Sequence, residues 1–192
     1  MPWRSFLSKV LIIILIAVIP VSAQPLSLGE SCDPRLQQGL ETCLASLNLA
    51  EAAQRKSLSI VLVDITEVRS PRLAYVNPNE MMYAVSLPKI AILLGAFERI
   101  ARGEMRADAP TLGMLAAMIR HSSNQAATTM LNRVGRTFLT QLLQSPRYRL
   151  YDPTRNGGLW VGKEYGQSPA YRRDPLHHLS HGATALQVAR FY

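Results

Sequence analysis

The run YAVSLPKIAILLGAFERI, residues 83–100, constrains the fold of this chain more tightly than any other stretch. Ile90, Leu93, Leu94, Phe97, Ile100 and Ala101 recur at the i, i+3, i+4, i+7 spacing of one buried helical face, which Gly103 ends. Pro88 sets where that helix starts. Proline is accepted in the first turn, whose N–H groups lack intrahelical partners, and is rejected deeper inside. Ser86 is thereby held at or next to the helix N-terminus. Lys89 is the anomaly. A helix start already carries partial positive charge, and burial strips an ammonium of its water, so a lysine there needs a local partner.

The flanking segments supply the rest of a domain. Asp33-Pro34 reads as an N-cap and first-turn proline before Leu36, Leu40, Cys43, Leu44 and Leu47 at helical spacing. Leu58 to Ile65 is a β-branched strand, and Arg72 to Val76 a second strand that pairs with it as a hairpin across a turn containing Pro71. A helix is predicted over Thr111–Ile119, with Leu112, Leu115, Met118 and Ile119 inward, breaking at Arg120 to Asn124. The next begins near Gln125, buries Ala126, Ala127, Met130, Leu131 and Val134, and stops at Gly135. Thr137 to Gln144 forms a short helix. From Ser145 to Ser180 the chain is loop-like, with a small hairpin or ordered loop at Gly157–Gly162, and Ala183 to Tyr192 is helical again. The pattern is α+β: a predominantly helical lobe plus an incomplete antiparallel sheet limited to the N-terminal hairpin.

At 192 residues and 48% hydrophobic, the chain supports one globular core. Residues 1–23 carry a basic start in Arg4 and Lys9, a short apolar run and small residues at Val21-Ser22-Ala23, the pattern of a secretory signal peptide. The mature domain is then 24–192, exported to the bacterial envelope as a periplasmic or secreted protein, and membrane-bound only if the leader stays uncleaved. Cleavage removes Arg4 and Lys9 and no acid, so the formal charge falls from +8 to +6. The basic residues are scattered without interleaved aromatics, which argues against nucleic acid. Export permits a disulfide between Cys32 and Cys43. One straight helix would hold them roughly 16 Å apart, so a bridge requires a break near Gly39.

Ser86 and Lys89 form S-x-x-K, a spacing that puts both side chains on one helical face. A hydroxyl is a weak nucleophile, and a desolvated lysine has the lowered pKa that a neighbouring base requires. A chain of this size holds on the order of one S-x-x-K by chance, and the plain alternative is a capping serine with a lysine that snorkels to water. The second motif is Ser122-Ser123-Asn124, S-x-N in the break between two helices, where a loop can aim a hydroxyl and an amide into a cleft. Its plain alternative is an N-cap serine and a turn asparagine. The combination is more informative than either part.

With these motifs the chain resembles the class A serine β-lactamases and the related penicillin-binding D,D-peptidases, from about Leu36 to the last residue. The likeness covers the leading helix, a strand ending in Val-Asp-Ile, the S-L-P-K turn into an apolar helix, and S-S-N followed by Q-A-A-T-T-M-L-N-R-V-G. It implies a β-lactamase/transpeptidase-like fold and acyl transfer from a β-lactam or a cell-wall acyl-D-alanyl peptide. Ser86 would attack the amide carbonyl, Lys89 would share in proton abstraction, and Ser122 would relay a proton to the leaving nitrogen. Asn124 would bind Lys89 and the substrate amide, and the Ser86 N–H would supply half of an oxyanion hole.

The sequence also departs from that family. No K-T-G or K-S-G occurs, and the strands that follow a helix like Ala183 to Tyr192 are missing, so a C-terminally truncated domain is expected, with an unpaired apolar hairpin edge. The interval from Ser86 to Ser122 is short, and Ser123 stands where aspartate is commoner. The deacylating glutamate is not recognisable. Asp152, Glu164 and Asp174 are the acidic candidates; Arg173-Asp174-Pro175 has the basic-acid-proline order, and Asp174 is either that base or a loop-bracing carboxylate. His177, His178 and His181 share one loop without a carboxylate or cysteine at ligand spacing, so neither metal nor cofactor is expected. Trp160, Tyr148, Tyr151, Tyr165 and Tyr171 read as loop packing, with a place at the substrate edge as the alternative, and His121 as a helix C-cap. Three functions fit: an exported β-lactamase-type serine hydrolase, a D,D-carboxypeptidase, or a non-catalytic penicillin-binding or envelope-interaction remnant.

Overall fold

The computed structural model describes residues 32–192, and the expected leader at 1–23 lies outside the described residues. Helix α1 (Pro34–Ser46) starts where Asp33 Oδ1 accepts from the Leu36 N–H at 2.8 Å, and a short α2 (Ala50–Gln54) follows. Strands β1 (Ile60–Asp64) and β2 (Arg72–Val76) form the expected antiparallel hairpin, with Ile60 opposite Val76 and Asp64 opposite Arg72. After β3 (Met82–Tyr83) come four helices: α3 (Lys89–Ala101), α4 (Ala109–Arg120), α5 (Asn124–Val134) and α6 (Arg136–Gln144). The remainder holds β4 (Tyr151–Asp152), β5 (Gly157–Gly158), β6 (Trp160–Val161), β7 (His181–Ala183) and α7 (Ala185–Phe191).

α3 is the centre of the core. It packs against α4, α5, α6 and β6, so its buried face is wider than one stripe: Ile90, Ala91, Ile92 and Ala96 are all buried, whereas Phe97 is 51% exposed. Small side chains let the neighbours close in. At Gly95 an added Cβ would lie 2.7 Å from a methyl of Val134, so the glycine sets the α3–α5 spacing. α4 faces the core through Thr111, Leu115 and Met118, while Leu112 and Ile119 fall on its open flank. α5 buries all five residues expected of it, from Ala126 to Val134.

α1 continues through Gly39 without the break that a bridge requires, and Cys32 and Cys43 are exposed free thiols. The expectation for the sheet changes. The Gly157–Gly162 stretch does not fold on itself. β5 pairs with β4 and β6 pairs with β7, which also pairs with β3. The sheet content therefore extends beyond the N-terminal hairpin, because the long loop returns to β3 and closes a three-stranded sheet ordered β3-β7-β6. Among the described strands β1 pairs with β2 alone. Beside β1, an apolar groove of about 740 Å³ lined by Val61, Val63, Met82, Leu87 and Val188 gives the expected uncovered edge a physical form. No described helix is long and apolar enough to cross a membrane.

The turn that delivers β7 is organised by Asp174, which is completely buried. Its Oδ1 accepts from the Tyr151 hydroxyl at 3.0 Å and from the Leu176 and His177 N–H groups, and its Oδ2 accepts from the Leu179 N–H at 2.8 Å. Burial alone would raise the carboxyl pKa, and these donors outweigh it and hold it below the ordinary 3.8. The carboxylate therefore contributes stability that is complete above about pH 4 and lost as pH falls through the folded value. Urea unfolding of Asp174→Asn at pH 6 is expected to show a loss of about 2 kcal/mol or more, and the gap to the unsubstituted protein should narrow below pH 4. A gap that stays constant down to pH 2 would contradict this assignment.

Candidate active site

The entry to α3 is a sequence of tight turns. The Leu87 N–H donates to the Ala84 carbonyl at 2.8 Å, and the Lys89 N–H donates to the Ser86 carbonyl at 3.1 Å. Ser86 thus stands one turn before the helix, preceded by Val85 with φ of 45°. A β-branched residue in the left-handed region is a steric outlier costing about 1–3 kcal/mol. On the facing loop Ser122 is also left-handed, at φ 49°. Ser123 pins this loop twice, through its N–H on the Ala117 carbonyl and through its hydroxyl, which caps α5 by accepting from the Ala126 N–H at 3.2 Å. Serine thus does the bracing at a position where the resemblance led us to expect aspartate. His121 takes the C-cap position of α4.

Lys89 draws the two loops together. Its Nζ lies 3.2 Å from Ser86 Oγ, 2.9 Å from Ser122 Oγ, 2.6 Å from the Ser122 carbonyl and 2.9 Å from Asn124 Oδ1. The residue is 2% exposed, and the desolvation holds its pKa below the ordinary 10.5. Each of these oxygens is neutral, so the polar atoms solvate the amine without locking it in the charged form. Two of them, the Ser122 carbonyl and Asn124 Oδ1, can only accept, so each takes an N–H. The remaining direction on the nitrogen faces the two hydroxyls, which can donate or accept. Neutral Lys89 can therefore accept a proton from Ser86 or Ser122 with no rearrangement of the other contacts.

The cleft in front of this cluster has a volume of about 300 Å³ and is lined by Ser86, Asn124, Tyr83, Lys163, Tyr165 and His181, with Glu164 at its edge. Tyr165 lies with its ring centroid 4.8 Å from Lys89 Nζ. His181, on β7, is buried, and burial followed by the Lys163 charge pushes its imidazole down to about 4, so the ring is neutral at physiological pH. Ser86, Lys89, Ser122 and Asn124 are therefore brought together as expected. Asp174 is not. Its oxygens are taken by the β7 turn, and it does not line the cleft. Asp152 is paired with Arg149 and Thr154. Glu164 reaches the cleft, with its carboxylate held by Arg136 and by the Asn132 amide at 3.2 Å.

Tyr83, Lys163 and His181 are cleft residues that sequence reasoning missed, and Tyr165 takes the substrate-edge place that is the alternative to loop packing. His181 drew notice as one of three histidines, yet His177 and His178 do not line the cleft, and His177 Nε2 lies 3.1 Å from the Asn156 carbonyl. What unites the missed residues is the β3-β7-β6 pairing, which no local spacing announces. Comparison with protein-family models, with curated proteins and with solved structures finds no match to this chain.

A base that must be neutral to act predicts a pH dependence. Modification of Ser86 by a fluorophosphonate should accelerate as Lys89 loses its proton, with a midpoint below 10.5. Mass spectrometry of the Ser86 peptide across pH 6 to 11 reads this directly. In Lys89→Met the midpoint should vanish, and a midpoint at or above 10.5 in the unsubstituted protein would show an ordinary, solvated lysine.

Proposed function

We propose that this chain is an exported serine hydrolase of the class A β-lactamase type, forming an acyl-enzyme on Ser86 from a β-lactam or an acyl-D-alanyl amide. The observation that carries the proposal is the convergence on a buried Lys89 Nζ of Ser86 Oγ, Ser122 Oγ and Asn124 Oδ1, from positions up to 35 residues away from Lys89 in sequence. Neutral Lys89 takes the hydroxyl proton as Ser86 Oγ bonds to the carbonyl carbon. The resulting ammonium passes a proton through Ser122 to the departing nitrogen, and the C–N bond breaks. The Asn124 amide, exposed at the cleft mouth, is placed to bind a substrate amide. Water then cleaves the ester, releasing a carboxylic acid and restoring Ser86.

A second version of the same chemistry has its own support. Glu164, the carboxylate at the cleft, is tied to Arg136, and Asp174 is spent on structure. Neither is free to activate water, which favours a slowly deacylating penicillin-binding protein or D,D-peptidase over a fast lactamase.

A fluorescent penicillin should label the protein, and Ser86→Ala should abolish the label; equal labelling of both would remove Ser86 as nucleophile. Ser122→Ala should slow acylation by about 100-fold or more. Chromogenic cephalosporin turnover then separates the versions: sustained hydrolysis marks a lactamase, and a stable label without turnover marks a binding protein or peptidase.

A further inference from the structure

We infer that Tyr165 is a positioning residue for the proton transfer at Lys89, its ring face acting as the cation acceptor for the ammonium formed when Ser86 gives up its proton. The inference rests on Lys89 as the base of the proposed reaction. Its ground is an electrostatic imbalance. Every oxygen bonded to Nζ is neutral, so the charged state of Lys89 has no carboxylate among its hydrogen-bond partners. The negative face of an aromatic ring supplies what is missing, and the Tyr165 centroid lies 4.8 Å from Nζ, inside cation–π range.

The ring is held there by contacts that do not involve its hydroxyl. Its backbone is latched to Thr128 on α5, whose Oγ1 accepts from the Tyr165 N–H at 3.0 Å and donates to the Tyr165 carbonyl at 3.2 Å. The His181 ring packs against it with centroids 4.4 Å apart and a 54° tilt. The hydroxyl itself is buried without a hydrogen-bond partner among the described residues. Removing that oxygen therefore breaks no described hydrogen bond and leaves the ring in place. The charged and titratable groups around Lys89 and Tyr165 are His181 from β7, Lys163 and Glu164 from the preceding loop, and Tyr83 and Tyr171; the Glu164 carboxylate is taken by Arg136. His181 is neutral and Lys163 cationic, so neither offers the ammonium a negative partner.

The step balances without another reagent. The Ser86 O–H bond breaks, its proton joins the Lys89 lone pair, and the positive charge appears on Nζ beneath the ring while Oγ bonds to the acyl carbon. The ring strengthens its hold only as that charge develops, which favours the transition state over the resting amine.

The test titrates Lys89 in the full chain by NMR of ¹³Cε-labelled lysine, the resonance being assigned by its loss in Lys89→Arg. Tyr165→Phe should leave the Lys89 proton affinity within 2-fold and fold at least as stably. A series with phenylalanine at 165 carrying one, two and three ring fluorines keeps the shape and drains the negative face. It should lower the Lys89 proton affinity stepwise, by about 2- to 30-fold in total. The plateau rate of fluorophosphonate modification of Ser86, read at a pH where Lys89 is fully neutral, should fall in the same order. A flat series, or a proton affinity that rises, would overturn the inference. Because neither readout uses a β-lactam, failure of penicillin to label Ser86 would count against the proposed substrate and leave this result standing on its own.

Discussion

A lysine amine removed from water and given only neutral oxygens is the constraint on which the rest of this molecule depends. An ammonium so placed is expensive, and the surrounding chain is arranged to make that state tolerable and reversible. The Ser122 carbonyl and Asn124 Oδ1 hold two N–H bonds, and the hydroxyls of Ser86 and Ser122 occupy the direction that can switch between donating and accepting. Bringing these groups together forces unfavourable backbone at Val85 and Ser122. That strain is offset by the packing of α3 against its helical neighbours, where Ile92, Ala96, Met130 and Leu131 are fully buried.

Much of this was legible in the chain itself. Pro88 and the apolar spacing of residues 90–101 located α3, and the clash between a charge and that helix identified Lys89 as the residue needing explanation. The hairpin was plain from β-branched runs, and α5 from its small and apolar face. What could not be read was anything set by the return of the chain after residue 150. Phe97, apolar at a helical spacing, lies exposed because burial on α3 follows which neighbours surround it. Trp160 and Tyr151, read as loop aromatics, form a tilted pair 4.8 Å apart inside the core. Asp174 looked like a candidate base because its flanking residues have a suggestive order, yet its oxygens face backbone donors of its own turn. Local order reports local geometry, and tertiary pairing decides where a loop side chain ends up.

The two ends of the described chain differ in how completely they are covered. The helical lobe is closed around α3, whereas β1 keeps an uncovered edge beside a groove whose walls carry no charged residue. Edges of that kind are usually blunted by charge, proline or a neighbouring strand. The groove and the cleft share Tyr83 on β3, so covering one bears on the wall of the other.

The closure of β7 between β3 and β6 has a bearing on when the surroundings of Lys89 are completed. Ser86 and Lys89 are near neighbours in sequence, and Ser122 arrives with the helices, all through contacts of modest sequence separation. Tyr165 is latched to Thr128 on α5, whereas His181 comes only with the pairing of β7 to β3, in which Met82 lies opposite Ala183. Until that junction forms, the His181 ring that packs against Tyr165 is missing, so the aromatic surroundings of the amine are finished by a segment far from it in sequence.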